Sequence, residues 1–449
     1  MTTTARTEPL SRFGNARHGV LLAARWCAVA SLFMAPVNKP GTNVALGLCV
    51  LLSLLGTDTR QRWLASWRHP VVRGALVWWG VLFLSALHTW YLTSKLPLGG
   101  SFVWACWYPL ALGSVLDDDR WRGRALVAFA MAMALTVLIS WGMAIGWIPQ
   151  RALIATQPFM RNTVFKEYTQ QGLATLIFAS MALAAATCTR SRNLRWSLAL
   201  VSGLAVANVC FALESRTSYL TLLPVAAYWA WRLLLRHWSA LKAGLAMLTL
   251  GAAVAIALWF TPLVRDRLVL SVDHEVVAYE QQHTPTSSGI RLELWRRTLP
   301  MIASAPVWGH GLHQWEPLYR QATRDMPNRQ AFMMGHPHQE MLLILAEQGC
   351  TGLLVYLLLL GALARYISRL DPPQRDIYAS ALLVYLVAGM ANCLWADFTH
   401  RHVFILLLSC IPLVAQGEST KASDGLPDAR KNLRQRDGGL RHVPEPGAG

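Results

Sequence analysis

Residues 336–364 read HPHQEMLLILAEQGCTGLLVYLLLLGALA, a short polar cluster that runs straight into an apolar stretch interrupted only around Glu347 and Gln348. A helix of about 20 apolar residues crosses the ~30 Å hydrocarbon core of a bilayer, so 341–364 predicts a transmembrane helix with its polar cluster at the membrane edge. Working outward, comparable runs recur near 19–37, 43–56, 71–91, 99–116, 125–148, 170–188, 196–213, 218–235, 242–261, 377–395 and 402–416. The second is short and reads equally as a re-entrant segment. The fold class is therefore an all-α polytopic membrane protein with about twelve transmembrane helices. Hydrophobic residues make up 54% of the chain and charged residues 14%, against about 25% charged in soluble domains. A soluble enzyme, a secreted disulfide scaffold and a disordered chain are excluded for the bulk. The eight cysteines all fall in apolar runs and read as small buried hydrophobes.

Forty-one Lys and Arg against 24 Asp and Glu give a net charge of +17. In a soluble protein that excess would suggest nucleic acid. Here it sits on alternate loops. The N-terminus and the segments 57–73, 117–124, 189–195, 232–242 and 365–376 carry three or four basic residues each, while the short loops between them mostly carry one. The positive-inside rule explains such alternation and places both termini in the cytoplasm; no nucleic-acid partner is needed. The expected organisation is a cytoplasmic N-terminus at 1–18, helices one to nine across 19–261, a large outer loop at 262–340, helices ten to twelve across 341–416, and a disordered cytoplasmic tail at 417–449. Ala28-Val29-Ala30 resembles a leader-cleavage site, but the apolar run continues past it, so it reads as an uncleaved anchor.

The large outer loop concentrates the chemistry. It holds eight Arg, eight acids, no Lys and six of the 13 His. Arginine without lysine fits bidentate recognition of phosphate oxygens, although surface pairing with the eight acids is the ordinary alternative. An amphipathic helix is expected over Ile290–Ile302, with Ser287 or Ser288 as its cap. Arg216 interrupts two long apolar runs, where a charge is expensive and needs either Glu214 or an anionic ligand. His336 and His338 flank Pro337 just before the apolar run; an imidazole titrating near pH 6.5 suits a general base. With His310 and His313 nearby a zinc site is conceivable, but no helical ligand spacing supports one. Asp117-Asp118-Asp119 lies among arginines on the cytoplasmic side and reads as a solvated charge run. No phosphate-binding glycine loop, dinucleotide fingerprint or GxSxG motif is present.

These residues fall into an order that resembles the O-antigen ligase/polymerase superfamily. His338-Gln339, the apolar helix, then Leu345-Ala346-Glu347-Gln348-Gly349-Cys350-Thr351-Gly352 is similar to its signature. Arg291 followed by Trp295, Pro306 through Gly309 and Gly311, and the Ser215-Arg216 element are similar to its other motifs. Gln339 stands where Asn or Ser is commoner, and His336 offers a second imidazole beside His338.

The resemblance implies a glycosyltransferase of the C-type fold that moves a glycan from undecaprenyl diphosphate to an acceptor at the periplasmic face of the bacterial inner membrane. It is metal-independent, needs no cofactor and inverts the anomeric carbon. Arg216 and Arg291 would hold the diphosphate and His338 would activate the acceptor hydroxyl. Arg161, Lys166, Arg265, His313 and His336 are further candidates for binding phosphate or sugar. The expected partners are the lipid-linked donor, lipid A–core oligosaccharide as acceptor, and inner-membrane lipids. An O-antigen polymerase or a protein O-oligosaccharyltransferase would use the same donor; the single large loop and compact tail favour a ligase. A transporter or flippase would place its ionisable residues along the spans, whereas here Arg25 and Glu347 are the clear ones.

Overall fold

The structure is a computed structural model that describes residues 8–98, 101–151, 160–235, 237–260, 271–326 and 328–413. The chain divides into a unit Met1–Pro412 and a unit Leu413–Gly449, the second described only at Leu413. Among the described residues every regular element is helical. In chain order these are α1 (Glu8–Met34), α2 (Lys39–Leu55), α3 (Thr59–Arg68), α4 (Pro70–Thr93), α5 (Ser101–Trp104), α6 (Tyr108–Val115), α7 (Asp119–Ala144), α8 (Tyr168–Cys188) and α9 (Arg192–Ala207). There follow α10 (Arg216–Leu234), α11 (Ala240–Phe260), α12 (Ser271–Gln282), α13 (Ser287–Ser304), α14 (Trp315–Ala322), α15 (Glu340–Ser368), α16 (Gln374–Gly389) and α17 (Phe398–Leu408).

Among the described residues five helices are long and apolar enough to cross a membrane: α4, α7, α8, α9 with the π turn that extends it to Ala212, and α15. Their outward faces expose large apolar side chains such as Leu84, Leu138, Leu200 and Leu354, as lipid contact demands. A sixth crossing results if α2 and α3 count as one, but they are bent by 119°. The short second run thus has the broken geometry of a bent span or re-entrant loop. The architecture is that of a polytopic membrane protein. Other runs differ in detail from their sequence reading. The run at 99–116 is split into α5, a 3₁₀ turn and α6, where Pro109 removes a backbone donor. That at 377–395 ends as helix at Gly389, and that at 402–416 is helical only to Leu408.

The aspartate triplet is structural. Asp118 caps α7 by accepting from Trp121 N at 2.8 Å, Asp119 pairs with Arg122 at 3.0 Å, and Asp117 takes Arg25 at 2.6 Å. The charge run is therefore a built corner joining α1 and α7, and it supplies the partner that Arg25 requires.

The segment that carries α13 and α14 folds onto α15. Leu294 and Met301 of α13, with Trp315 and Tyr319 of α14, pack around Ala346 of α15, and the Trp315 and Tyr319 rings stack at 4.8 Å. The amphipathic helix expected at 290–302 is α13, but its cap is Thr286, which accepts from Gly289 N at 3.1 Å. Ser288 is instead committed to Glu275.

Candidate functional site

Two glycine-bearing motifs meet and fix the floor of the site. His310 N donates to Ala346 O and Gly311 N to Glu347 O, each at 2.9 Å, while Cys350 N donates to Pro306 O at 2.8 Å. The exchange is possible because α15 kinks at Gly349, with φ 66° and ψ −168°. A side chain there would strike the Val307 carbonyl, and one at Gly309 (φ 69°) would strike the Glu347 backbone. Glu347 lies at this crossing, its carboxylate facing Trp315 N at 3.5 Å and Gln348 Nε2 at 3.4 Å. The Pro-x-x-Gly-x-Gly and Leu-Ala-Glu-x-Gly motifs are therefore two halves of one backbone clasp.

Above the clasp, Gln339 caps α15 by accepting from Leu342 N at 2.5 Å. That explains why a small set of polar residues suits the position after His338: the chain needs an N-cap where it enters the helix. The preceding His336-Pro337-His338 turn is pinned by Trp295, whose Nε1 donates to Pro337 O at 3.1 Å. Arg291 and Trp295 are one helical turn apart and share a face of α13. The Arg-x-x-x-Trp spacing thus carries the cation and the anchor of the histidine turn together.

The two imidazoles are in ring contact at 4.5 Å but are not equivalent. His336 Nδ1 accepts from the backbone N–H of His338 at 3.3 Å, so its ring proton sits on Nε2. His338, held in the left-handed region at φ 52°, places Nδ1 at 3.1 Å from Asn392 Oδ1. With that oxygen accepting, Nδ1 carries the proton and Nε2 keeps its lone pair. Burial, then the charge of His338, lowers His336 to about 4. Burial is also the main cause that lowers His338; its bond to Asn392 opposes the shift and the Arg291 charge adds to it. Both rings are neutral at pH 7. Asn392→Ala is expected to lower the His338 pKa further, since a bond favouring the charged ring is lost; an NMR titration of the imidazole checks this, and an unchanged midpoint would remove Asn392 from this role.

The arginines separate into two kinds. Arg296 pairs with Glu280 at 2.9 Å, Arg297 with Glu293 at 2.8 Å and Arg320 with Glu316 at 2.6 Å, as the surface reading expects. Arg216 is held neither by Glu214 nor by burial. It stands at the first position of α10, after the Ser215 cap, and Glu275 of α12 binds it twice, at 2.7 and 3.1 Å. Glu275 also accepts from Ser288 N at 3.0 Å and Oγ at 2.7 Å, tying α10, α12 and α13 together. Arg291 bonds only Ser287, at 2.8 and 3.3 Å, makes no ion pair among the described residues, and has a buried Nε–H without a partner. It lies within electrostatic reach of Tyr168, Arg216, Glu275 and His338, and burial lowers its pKa.

The Arg216 hydrogen bond, helped by the Ser288 bonds and opposed by burial, draws Glu275 down to about 2. The clamp therefore contributes stability fully above the ordinary carboxylate pKa of about 4.3 and loses it as pH falls toward about 2. The thermal midpoint of Glu275→Gln should lie below that of the parent at pH 7, with the gap narrowing below about pH 4.3 and closing only as pH falls through about 2. A gap that does not narrow between pH 7 and pH 2 would mean that the ion pair is not what Glu275 contributes.

The structure brings Arg216, Arg291, His338 and His336 into one neighbourhood. His313 lies across a cavity of about 130 Å³ whose lining includes His336, Glu340, Glu347 and Trp395. Lys166 joins a different cluster around Asp397. Arg161 is exposed and makes no contact with these groups, and Arg265 lies outside the described residues. Sequence reasoning missed Glu275, Asn392 and the anchoring role of Trp295.

Among the described residues the site is thus two arginines and two histidines gathered beside the clasp of an all-helical membrane protein. Residues 200–357 match the family model described as O-antigen ligase. The match encloses Arg216, Arg291, His338 and both halves of the clasp. Among curated proteins none matches the chain.

Proposed function

We propose that the protein is an O-antigen ligase that transfers the glycan from undecaprenyl diphosphate to lipid A–core oligosaccharide at the periplasmic face of the bacterial inner membrane. The carrying observation is His338: a neutral imidazole with Nε2 free, within electrostatic reach of an arginine that makes no ion pair among the described residues. The acceptor hydroxyl gives its proton to His338 Nε2 as its oxygen attacks the anomeric carbon. The bond from that carbon to the diphosphate oxygen breaks, and the electron pair leaves on the diphosphate. Arg291, with the donors of Arg216 that Glu275 leaves open, stabilises the growing charge. Attack opposite the leaving group inverts the anomeric centre. The donor is already activated by its diphosphate, so the step draws on no nucleotide or other cofactor. The twelve-span layout, with cytoplasmic termini and 262–340 as the periplasmic segment, puts both lipid-linked substrates at a site they enter from the bilayer.

Expression in a ligase-deficient host followed by gel analysis of its lipopolysaccharide tests this reading. Long-chain ladders on lipid A–core are expected. Polymer that accumulates on undecaprenyl diphosphate over an unmodified core would sink it, and glycosylated protein would move the assignment to an oligosaccharyltransferase. Linkage analysis that finds a retained anomeric configuration would remove His338 as the base of a direct displacement.

A further inference from the structure

A second cationic cluster gathers around Asp397. Lys39 opens α2, Lys166 sits two residues before α8, and Asp397 caps α17. Lys166 is only 7% exposed, and the Lys39 ammonium stands 5.9 Å from the centre of the Phe398 ring. Asp397 acts on both lysines but is already committed. It accepts from Gln170 Nε2 at 2.7 Å and His400 N at 2.9 Å, and His400 Nδ1 lies at 2.9 Å. Among the described residues neither lysine forms an ion pair. A buried ammonium without an anion is costly. Burial and then the Lys39 charge pull Lys166 down to about 8, against the opposing pull of Asp397.

The cluster is placed for a substrate. His336 is within electrostatic reach of both His338 and Asp397, and His338 of Arg291. The histidine turn therefore has Arg291 and Asp397, the centre of the lysine cluster, both within electrostatic reach. If the arginines take the donor diphosphate, the lysine cluster is left for the molecule whose hydroxyl reaches His338. We propose that Lys39 and Lys166 form a phosphate subsite for the acceptor, engaging a phosphate monoester on its saccharide and so delivering the hydroxyl to His338. The subsite rests on the ligase reading. A phospholipid headgroup offers the same chemistry, so the test must separate the two sources.

The test uses the full-length protein in nanodiscs, comparing the parent with Lys39→Gln/Lys166→Gln and with Lys39→Gln alone, whose exposed side chain leaves the core intact. The probes are lipid A–core and the same lipid freed of phosphate monoesters. Loss of phosphate from the acceptor, or of both lysines, is expected to weaken binding about ten-fold, with no further loss when the two are combined; Lys39→Gln alone should give part of it. In transfer assays the acceptor KM should rise with the donor KM unchanged and kcat within about two-fold. Additive losses, an unchanged acceptor affinity, or a defect that appears only in discs containing anionic phospholipid would overturn the subsite. A parent protein that binds acceptor but transfers nothing would instead count against the ligase reading, and the binding comparison would still decide the subsite.

Discussion

His338→Ala is expected to abolish capping of lipid A–core while the protein remains in the membrane at parental level. A positioned general base contributes about 10²–10⁴ in rate, and no neighbouring group stands ready to replace it. His336 is in ring contact, but its lone pair is spent on the His338 backbone N–H, and protonating it is opposed by burial and by His338. Because residue 338 sits at φ 52°, His338→Asn makes a good companion variant: asparagine tolerates the left-handed region but lacks the base. Both variants should bind donor at near-parental affinity and fail in turnover. The parental pH–rate profile should fall on its acid side below pH 6.5, because a lowered imidazole pKa keeps the base neutral further into acid. Retention of more than a tenth of the parental rate by either variant would remove His338 as the base.

Gly349→Ala should be the most damaging single methyl addition in α15. The backbone there has φ 66°, which costs a non-glycine residue roughly 1–3 kcal/mol. The new methyl would also collide with the Val307 carbonyl, pushing apart the clasp between 306–311 and 346–351. The outer helices pack on α15 through this crossing, so a lower thermal midpoint in detergent and lost transfer are expected together. Gly361→Ala, in the same helix with open space around it, is the control and should be neutral or slightly stabilising, as alanine is the better helix former by about 1 kcal/mol. Equal midpoints for the two variants would show that the clasp does not hold the outer segment.

Particular residues show where local reading stops. Arg216 stood out because charge beside apolar runs is rare, His338 because it stands just before an apolar run and fits a motif, Arg291 only through a motif, and the periodicity of 290–302 announced α13. The partner of Arg216 did not stand out: Glu275 is 59 positions away, whereas the nearby Glu214 is exposed and unengaged by it. Asn392, 54 positions from His338, has no local signature either. The cap of α13 is Thr286 and neither Ser287 nor Ser288, because all three are competent and only the loop's path selects among them.

The sequence by itself determined an all-helical chain built for the bilayer, since hydrophobic run length and composition are local properties read against a fixed hydrocarbon thickness. It also determined which charges were anomalous, because a charge beside hydrocarbon must be explained wherever the chain goes. Only the tertiary structure decided which anomalies belong together. It turned two glycine motifs into one clasp, gave Arg216 to Glu275, left Arg291 without an acid, and set Asn392 on His338. Each is a contact between distant segments, fixed by packing and by the need of buried polar groups for partners, and neither requirement leaves a trace in local periodicity.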